Sequence, residues 1–151
     1  MIRDDVKAAQ ISAMKAGEKE RLAAVRLILS KIKDRDIELR TEGDAKDDDA
    51  MVIEVLQKMV KQRRESIGMY EAGGRQELAD AEKAELAVIE EFLPRQMDET
   101  ETSAVIDAII AETGAQEPKD MGKVMGLLKQ RYGAELDMGK ASAMTKAKLA
   151  E

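Results

Sequence analysis

Proline occurs at only two positions of this chain, 94 and 118, so almost nothing in the backbone interrupts a helix. The apolar residues recur at three- and four-residue intervals, the spacing that lines up one face of an α-helix. Over 2–16 the stripe is Ile2, Val6, Ala9 and Ala13, ended by Gly17. Over 18–40 it is Leu22, Val25, Leu29, Ile32 and Leu39, with Arg26, Lys33 and Arg40 off it. Thr41-Glu42-Gly43-Asp44 breaks the pattern, and Asp47-Asp48-Asp49 supplies a cap and negative charge for the next helix. That helix, over 49–72, carries Val52, Leu56, Met59, Arg63, Ile67 and Tyr70 up to Gly73-Gly74. A fourth, over 76–92, carries Leu78, Ala79, Glu82, Leu86, Ile89 and Leu93 and closes at Pro94. Glu82 lies on the apolar stripe, so it is expected to be paired or near the rim.

Beyond Pro94, Asp98 and Glu101 have the spacing of a capping box. The helix over 99–113 uses Val105, Ile106, Ile109 and Ile110 and ends at Gly114. Asp120 is expected to cap a helix with Met121, Val124, Leu128 and Tyr132, and Asp137 a last one with Ala141, Met144 and Leu149. No β alternation and no tandem repeat is read. The expectation is an all-α protein of two packed helical lobes, four helices in 1–94 and three in 95–151. The smaller lobe is marginal in size, so it is expected to pack on the first or on a partner.

Function classes are narrowed by what is missing. The 151 residues include no Cys and no His, which removes thiolate or imidazole zinc sites, thiol nucleophiles and histidine acid–base chemistry. Asp44, Asp47, Asp48 and Asp49 lack the spacing of a calcium loop and read as a solvated loop with a helix cap. No metal and no cofactor is expected. The ten Met residues read as core filler before they read as an adaptable groove. Formal charge is −6, so any polyanion contact needs a local basic patch. No apolar run is long enough for a membrane span, and the start lacks a signal-peptide core, so a cytoplasmic location is expected.

Two constellations stand out. Lys58, Lys61, Arg63 and Arg64 form the densest basic cluster. On a helix Lys58, Lys61 and Glu65 share one face, with Arg64 beside Lys61, which reads either as a small phosphate- or carboxylate-binding face or as a solvated face with ion pairs such as Lys61 with Glu65. Gly122 and Gly126 stand four apart in one helix, with Lys123, Lys129 and Arg131 beside them, and Gly139-Lys140 opens the next. Glycine costs a helix interior about 1 kcal/mol relative to Ala. Either another backbone packs closely against Gly122 and Gly126, or a ligand or partner approaches there. Free N–H groups at the two helix starts are potential phosphate sites, while Asp120 and Asp137 point to plain capping.

The ordered motifs Arg26-Leu27, Lys61-Gln62-Arg63-Arg64-Glu65-Ser66, Gly74-Arg75-Gln76-Glu77-Leu78-Ala79, Glu82 with Glu85-Leu86, Phe92-Leu93-Pro94, Met121-Gly122-Lys123-Val124-Met125-Gly126 and Asp137-Met138-Gly139-Lys140 resemble a stand-alone YqeY-type member of the GatB/YqeY family. The C-terminal lobe is similar to the tail domain of the B subunit of the tRNA-dependent amidotransferase. Phe92 replaces a usual Tyr, and Met138 interrupts a usual Asp-Gly-Lys run. The resemblance implies a link to glutamine-dependent amidation of Glu or Asp mischarged on tRNA. It also implies possible partners: tRNA, amidotransferase components or aminoacyl-tRNA synthetase components. The chemical domains of that enzyme have no counterpart motif here, so the expectation is a non-catalytic tRNA-binding or accessory module using Lys123, Lys129, Arg131, Lys140, Lys61 and Arg64. A helical adaptor docking through Gly122, Gly126 and Gly139 is the alternative, and carbon–nitrogen ligase activity with glutamine as donor is the third reading.

Overall fold

Helix termini follow local chemistry. The Asp47 carboxylate accepts from the Asp49 amide at 3.0 Å, and Asp98 with Glu101 completes the capping box that satisfies two end groups at once. Gly17 and Gly114 close their helices at φ 70° and 69°, a region a side chain rarely enters. The computed structural model describes residues 1–42 and 47–150. Among them lie seven α-helices and no strand: α1 (Ile2–Ala16), α2 (Lys19–Glu42), α3 (Asp48–Ala72), α4 (Gln76–Glu91), α5 (Glu99–Thr113), α6 (Met121–Tyr132) and α7 (Met138–Ala150), with one 3-10 turn at Pro118–Asp120. The chain is all-α. Thr41 and Glu42, read as a break, continue α2; Gly43 and Asp44 lie outside the described residues.

The chain divides into two compact units, Met1–Leu93 and Pro94–Glu151. In the first, the core gathers Val6, Val25, Ile28, Ile32, Val52, Leu56 and Ile89. The α2 stripe is centred on Val25, Ile28 and Ile32, whereas Leu22 and Leu29 are only half-buried. Contacts with α1, α3 and α4 explain this: a helix covered on several sides buries a wider arc than one stripe. Each large side chain fully buried there contributes about 1.5–3 kcal/mol.

Two charged clusters tie this unit together. The Arg3 guanidinium donates to both Asp36 oxygens at 2.8 Å and to Asp48 at 2.8 and 3.2 Å. Those bonds hold the Asp36 carboxyl below its ordinary pKa. Arg63, turned toward the apolar stripe, places Nε 3.1 Å from Glu82 and 2.9 Å from Glu85. Glu82 is therefore paired, and the pair is 18% and 20% exposed. Arg63 Nε and Glu82 Oε2 lack hydrogen-bond geometry, so charge rather than a directional bond holds them.

The second unit packs α5, α6 and α7 around Ile106, Ile109, Val124, Leu128, Leu136, Ala141 and Leu149. Leu136 comes from the connection between α6 and α7, where no helical periodicity marks it. Thr102 and Thr145 are buried, each hydroxyl donating to the carbonyl four residues back, at 2.7 and 2.8 Å. Ahead of α5, the Met97 amide donates to the Glu135 carbonyl at 2.7 Å, and Gln96 reaches the Ala134 carbonyl at 2.8 Å. The stretch leading into α5 is thereby strapped to the loop leading into α7.

Candidate functional site

Charge in the second unit is sorted by helix. α5 holds Glu99, Glu101, Asp107 and Glu112 and no basic residue. α6 holds Lys123, Lys129 and Arg131, and α7 holds Lys140, Lys146 and Lys148; neither contains an acid. The two basic helices are one pattern written twice, contrary to the expectation of no repeat. Asp120-Met-Gly-Lys123 and Asp137-Met-Gly-Lys140 stand 17 residues apart, as do Lys129 and Lys146. Burial repeats in step: Val124 and Ala141 are buried, as are Leu128 and Thr145, while Gly122, Lys123, Gly126 and Lys129 are exposed like Gly139, Lys140, Ala143 and Lys146.

At 100° per residue, this pattern gives both helices the same cross-section. A strip of small residues faces outward, Gly122 and Gly126 on α6, Gly139 and Ala143 on α7. One lysine flanks each strip on either side. The third basic residue of each helix turns toward α5. Arg131 grips both Glu112 oxygens at 2.6 and 2.7 Å, and Lys148 reaches Asp107 at 2.7 Å. This pairing lowers the Glu112 pKa and raises that of Arg131. Arg131, expected to contact phosphate, is instead committed within the fold. Lys123, Lys129, Lys140 and Lys146 are exposed and have no ion pair among the described residues. Lys146 escaped the sequence reading because only the repeat assigns it a role.

Close packing within their own unit does not account for Gly122 and Gly126. A Cβ at either would meet no described residue of that unit within 4 Å. The helix starts also differ from expectation. Asp137 accepts from the amides of Gly139 and Lys140 at 3.0 and 3.2 Å, so the α7 terminus is capped. Asp120 makes no cap to α6. Its carboxylate turns back to the Gln116 and Glu117 amides, both at 3.1 Å, which lower its pKa. The 3-10 turn accounts for this, because it inserts the chain ahead of α6 as a continuous winding.

In the first unit, Lys61 is exposed and forms no ion pair with Glu65 or any other described residue. Arg64 lies 3.8 Å from Glu90, a loose contact on an exposed face. The acidic run is occupied: Asp47 caps α3, Asp48 binds Arg3, and Asp49 accepts from the Ile2 amide at 2.9 Å. Among the described residues no group of three or more acidic side chains could hold a metal ion, and no helix is long and apolar enough to cross a membrane.

Fold and site define an all-helical protein with a duplicated, outward-facing basic surface. The family model described as Yqey-like protein matches residues 2–149, and the chain belongs to that family. It is 28% identical over 145 residues to the "Altered inheritance of mitochondria protein 41, mitochondrial" of Vanderwaltozyma polyspora, a match covering 90% of this chain and 76% of that protein.

Proposed function

We propose that this protein is a non-catalytic recognition module that grips tRNA, in the setting of glutamine-dependent amidation to which its family resemblance points. The observation that carries this reading is the repeat: two helices each present two lysines, without an ion pair among the described residues, around a strip without bulky side chains. Small residues let a sugar–phosphate chain come near the helix backbone, and the flanking ammonium groups then reach phosphates on both sides. Lysine suits that task as a mobile point charge, without the planar fork that Arg131 uses on Glu112. Recognition of this kind reads shape and charge rather than base edges. The cytoplasm, which holds tRNA, is the compartment such a module would serve.

Four neutralised phosphates correspond to a slope of about −3.6 in log K against log salt for duplex regions. Filter binding of tRNA across salt tests this, and K123E/K129E should flatten the slope by about 1.8. No binding at low salt would refute the RNA reading. The open space at Gly122 and Gly126 also favours a second reading, in which a partner helix docks there. G126L blocks either ligand, whereas K123E should spare a docked helix and weaken RNA.

A further inference from the structure

The outer face of α2 carries a second basic surface, unrelated to the repeat. Lys19, Arg26, Lys33 and Arg40 follow one another at intervals of seven residues. At 1.5 Å per residue they stand about 10.5 Å apart along a rod of roughly 31 Å. Seven residues fall short of two full turns by only about 20°, so the four remain on one side of the helix. All four are exposed and have no ion pair among the described residues. The positions between them are Ala23, Ser30 and Ile37, also exposed, so a line alternates long cations with shorter, uncharged side chains. The nearest acid on the same helix is Asp36, one turn from both Lys33 and Arg40; its carboxylate is held by Arg3 through two bonds of 2.8 Å, and Arg40 adds to the charge that lowers its pKa. The remaining arginines of α2 behave differently. Arg21 pairs with Glu91 at 2.7 Å and Arg35 with Glu38 at 2.8 Å. The helix therefore neutralises its flanking arginines and leaves the outward row charged, in a chain whose net charge is −6.

We infer that this row is a binding rail for the backbone of double-stranded RNA. A polyanion is the partner its charge fits. The three aromatic residues, Tyr70, Phe92 and Tyr132, all lie outside α2, so the rail has no platform for stacking unpaired bases. Ile37 is the single large apolar residue on it, too little to seat the helix in a lipid interface. A straight row of cations with small spacers instead suits the wide, shallow minor groove of A-form RNA, where phosphates and 2′-hydroxyls are accessible. Ser30, between Arg26 and Lys33, is the rail's one hydroxyl and is fit to meet a 2′-hydroxyl.

Fluorescence anisotropy with the full chain and a 20-base-pair RNA duplex of arbitrary sequence tests the rail. Four contacts give a slope of about −3.6, or roughly a 150-fold loss of affinity between 50 and 200 mM salt from this face alone. R26E/K33E should lower affinity at least tenfold and flatten the slope by about 1.8. K31E, on the same helix but off the rail, should change affinity less than twofold, and RNA should protect Lys19 and Lys33 from acetylation more than Lys31. Equal losses in K31E and R26E/K33E would reduce the effect to net charge and overturn the proposal. So would unchanged binding by R26E/K33E, and so would equal affinity for duplex DNA, single-stranded RNA or anionic phosphatidylserine vesicles. If K123E/K129E abolishes binding of tRNA and of the duplex while R26E/K33E leaves both unchanged, the rail fails and the C-terminal reading stands; the reverse pattern upholds the rail alone.

Discussion

Replacing Gly126 by Ala should make this protein more stable and its proposed site worse. Gly126 is the sixth of twelve residues in α6, well inside the helix, where Gly is about 1 kcal/mol less favourable than Ala. A Cβ at that position meets no described residue of its unit within 4 Å, so no steric penalty offsets the gain. For a unit of this size, 1 kcal/mol corresponds to a rise of about 4–8 °C in Tm. Gly122, in the first turn of α6, should contribute roughly half as much, because end positions weigh propensity less. Thermal melts of the full chain followed by circular dichroism provide the measurement. A lowered Tm for G126A would mean that the added carbon collides with something, refuting the open-space argument. The functional arm uses G126L, whose side chain would cover the strip: tRNA binding should fall at least tenfold while the protein stays folded. If G126L binds tRNA as well as the parent, the glycines do not serve close approach, and the strip is not the site.

R63M leaves Glu82 mostly buried without its cation; breaking such a pair costs about 3–5 kcal/mol, reduced here to about 2–4 because Glu85 is 43% exposed. R63M/E82L should recover to within about 1 kcal/mol of the parent in urea titration, and a double variant as unstable as R63M would contradict the charge argument. The Arg3 fork holds Asp36 below its ordinary pKa, so its stabilisation is present above the unfolded aspartate value near 4 and is lost as pH falls through the folded one. The stability gap between parent and R3M should therefore stay level from pH 7 to 5 and narrow below about pH 4; a gap unchanged down to pH 2 would assign the effect to packing. L128A, at a fully buried position of the smaller unit, should cost about 2–5 kcal/mol by denaturant unfolding.

The helices were legible because each apolar stripe keeps its phase for three or more turns and because Gly17, Asp98 and Gly114 mark their ends with specific backbone chemistry. Less legible was whatever depends on a neighbouring helix. Ile28 replaces Leu22 and Leu29 at the centre of the α2 stripe because α1, α3 and α4 all press on that helix. Leu136 enters the core from a connection, outside any periodic segment. Arg131 looked available because its partner, Glu112, lies 19 residues away on another helix. The repeat was hidden because five of thirteen aligned residues are identical between 120–132 and 137–149. Its significance emerges from burial, since Val124 and Leu128 occupy the same places as Ala141 and Thr145 despite differing in chemistry.

A residue in a helical motif faces either the protein or the solvent, and this decides what the motif can mean. In Gln62-Arg63-Arg64-Glu65-Ser66 the residue with the firmest role is Arg63, which binds Glu82 and Glu85 on α4; packing accounts for all three. In Met121-Gly122-Lys123-Val124-Met125-Gly126 the inward residues, Met121, Val124 and Met125, belong to the core of their unit. Its outward residues, Gly122, Lys123 and Gly126, have no intramolecular role of that kind: two lower helix propensity and the third carries an unpaired charge. The same division recurs 17 residues later with Gly139 and Lys140 facing out and Ala141 facing in. Stability would favour alanine at the glycines and gains nothing from the free lysines. A feature that is repeated, costs stability and has no partner among the described residues is what the proposed function draws on: under that proposal, ammonium groups beside bare backbone would receive an anion that comes close.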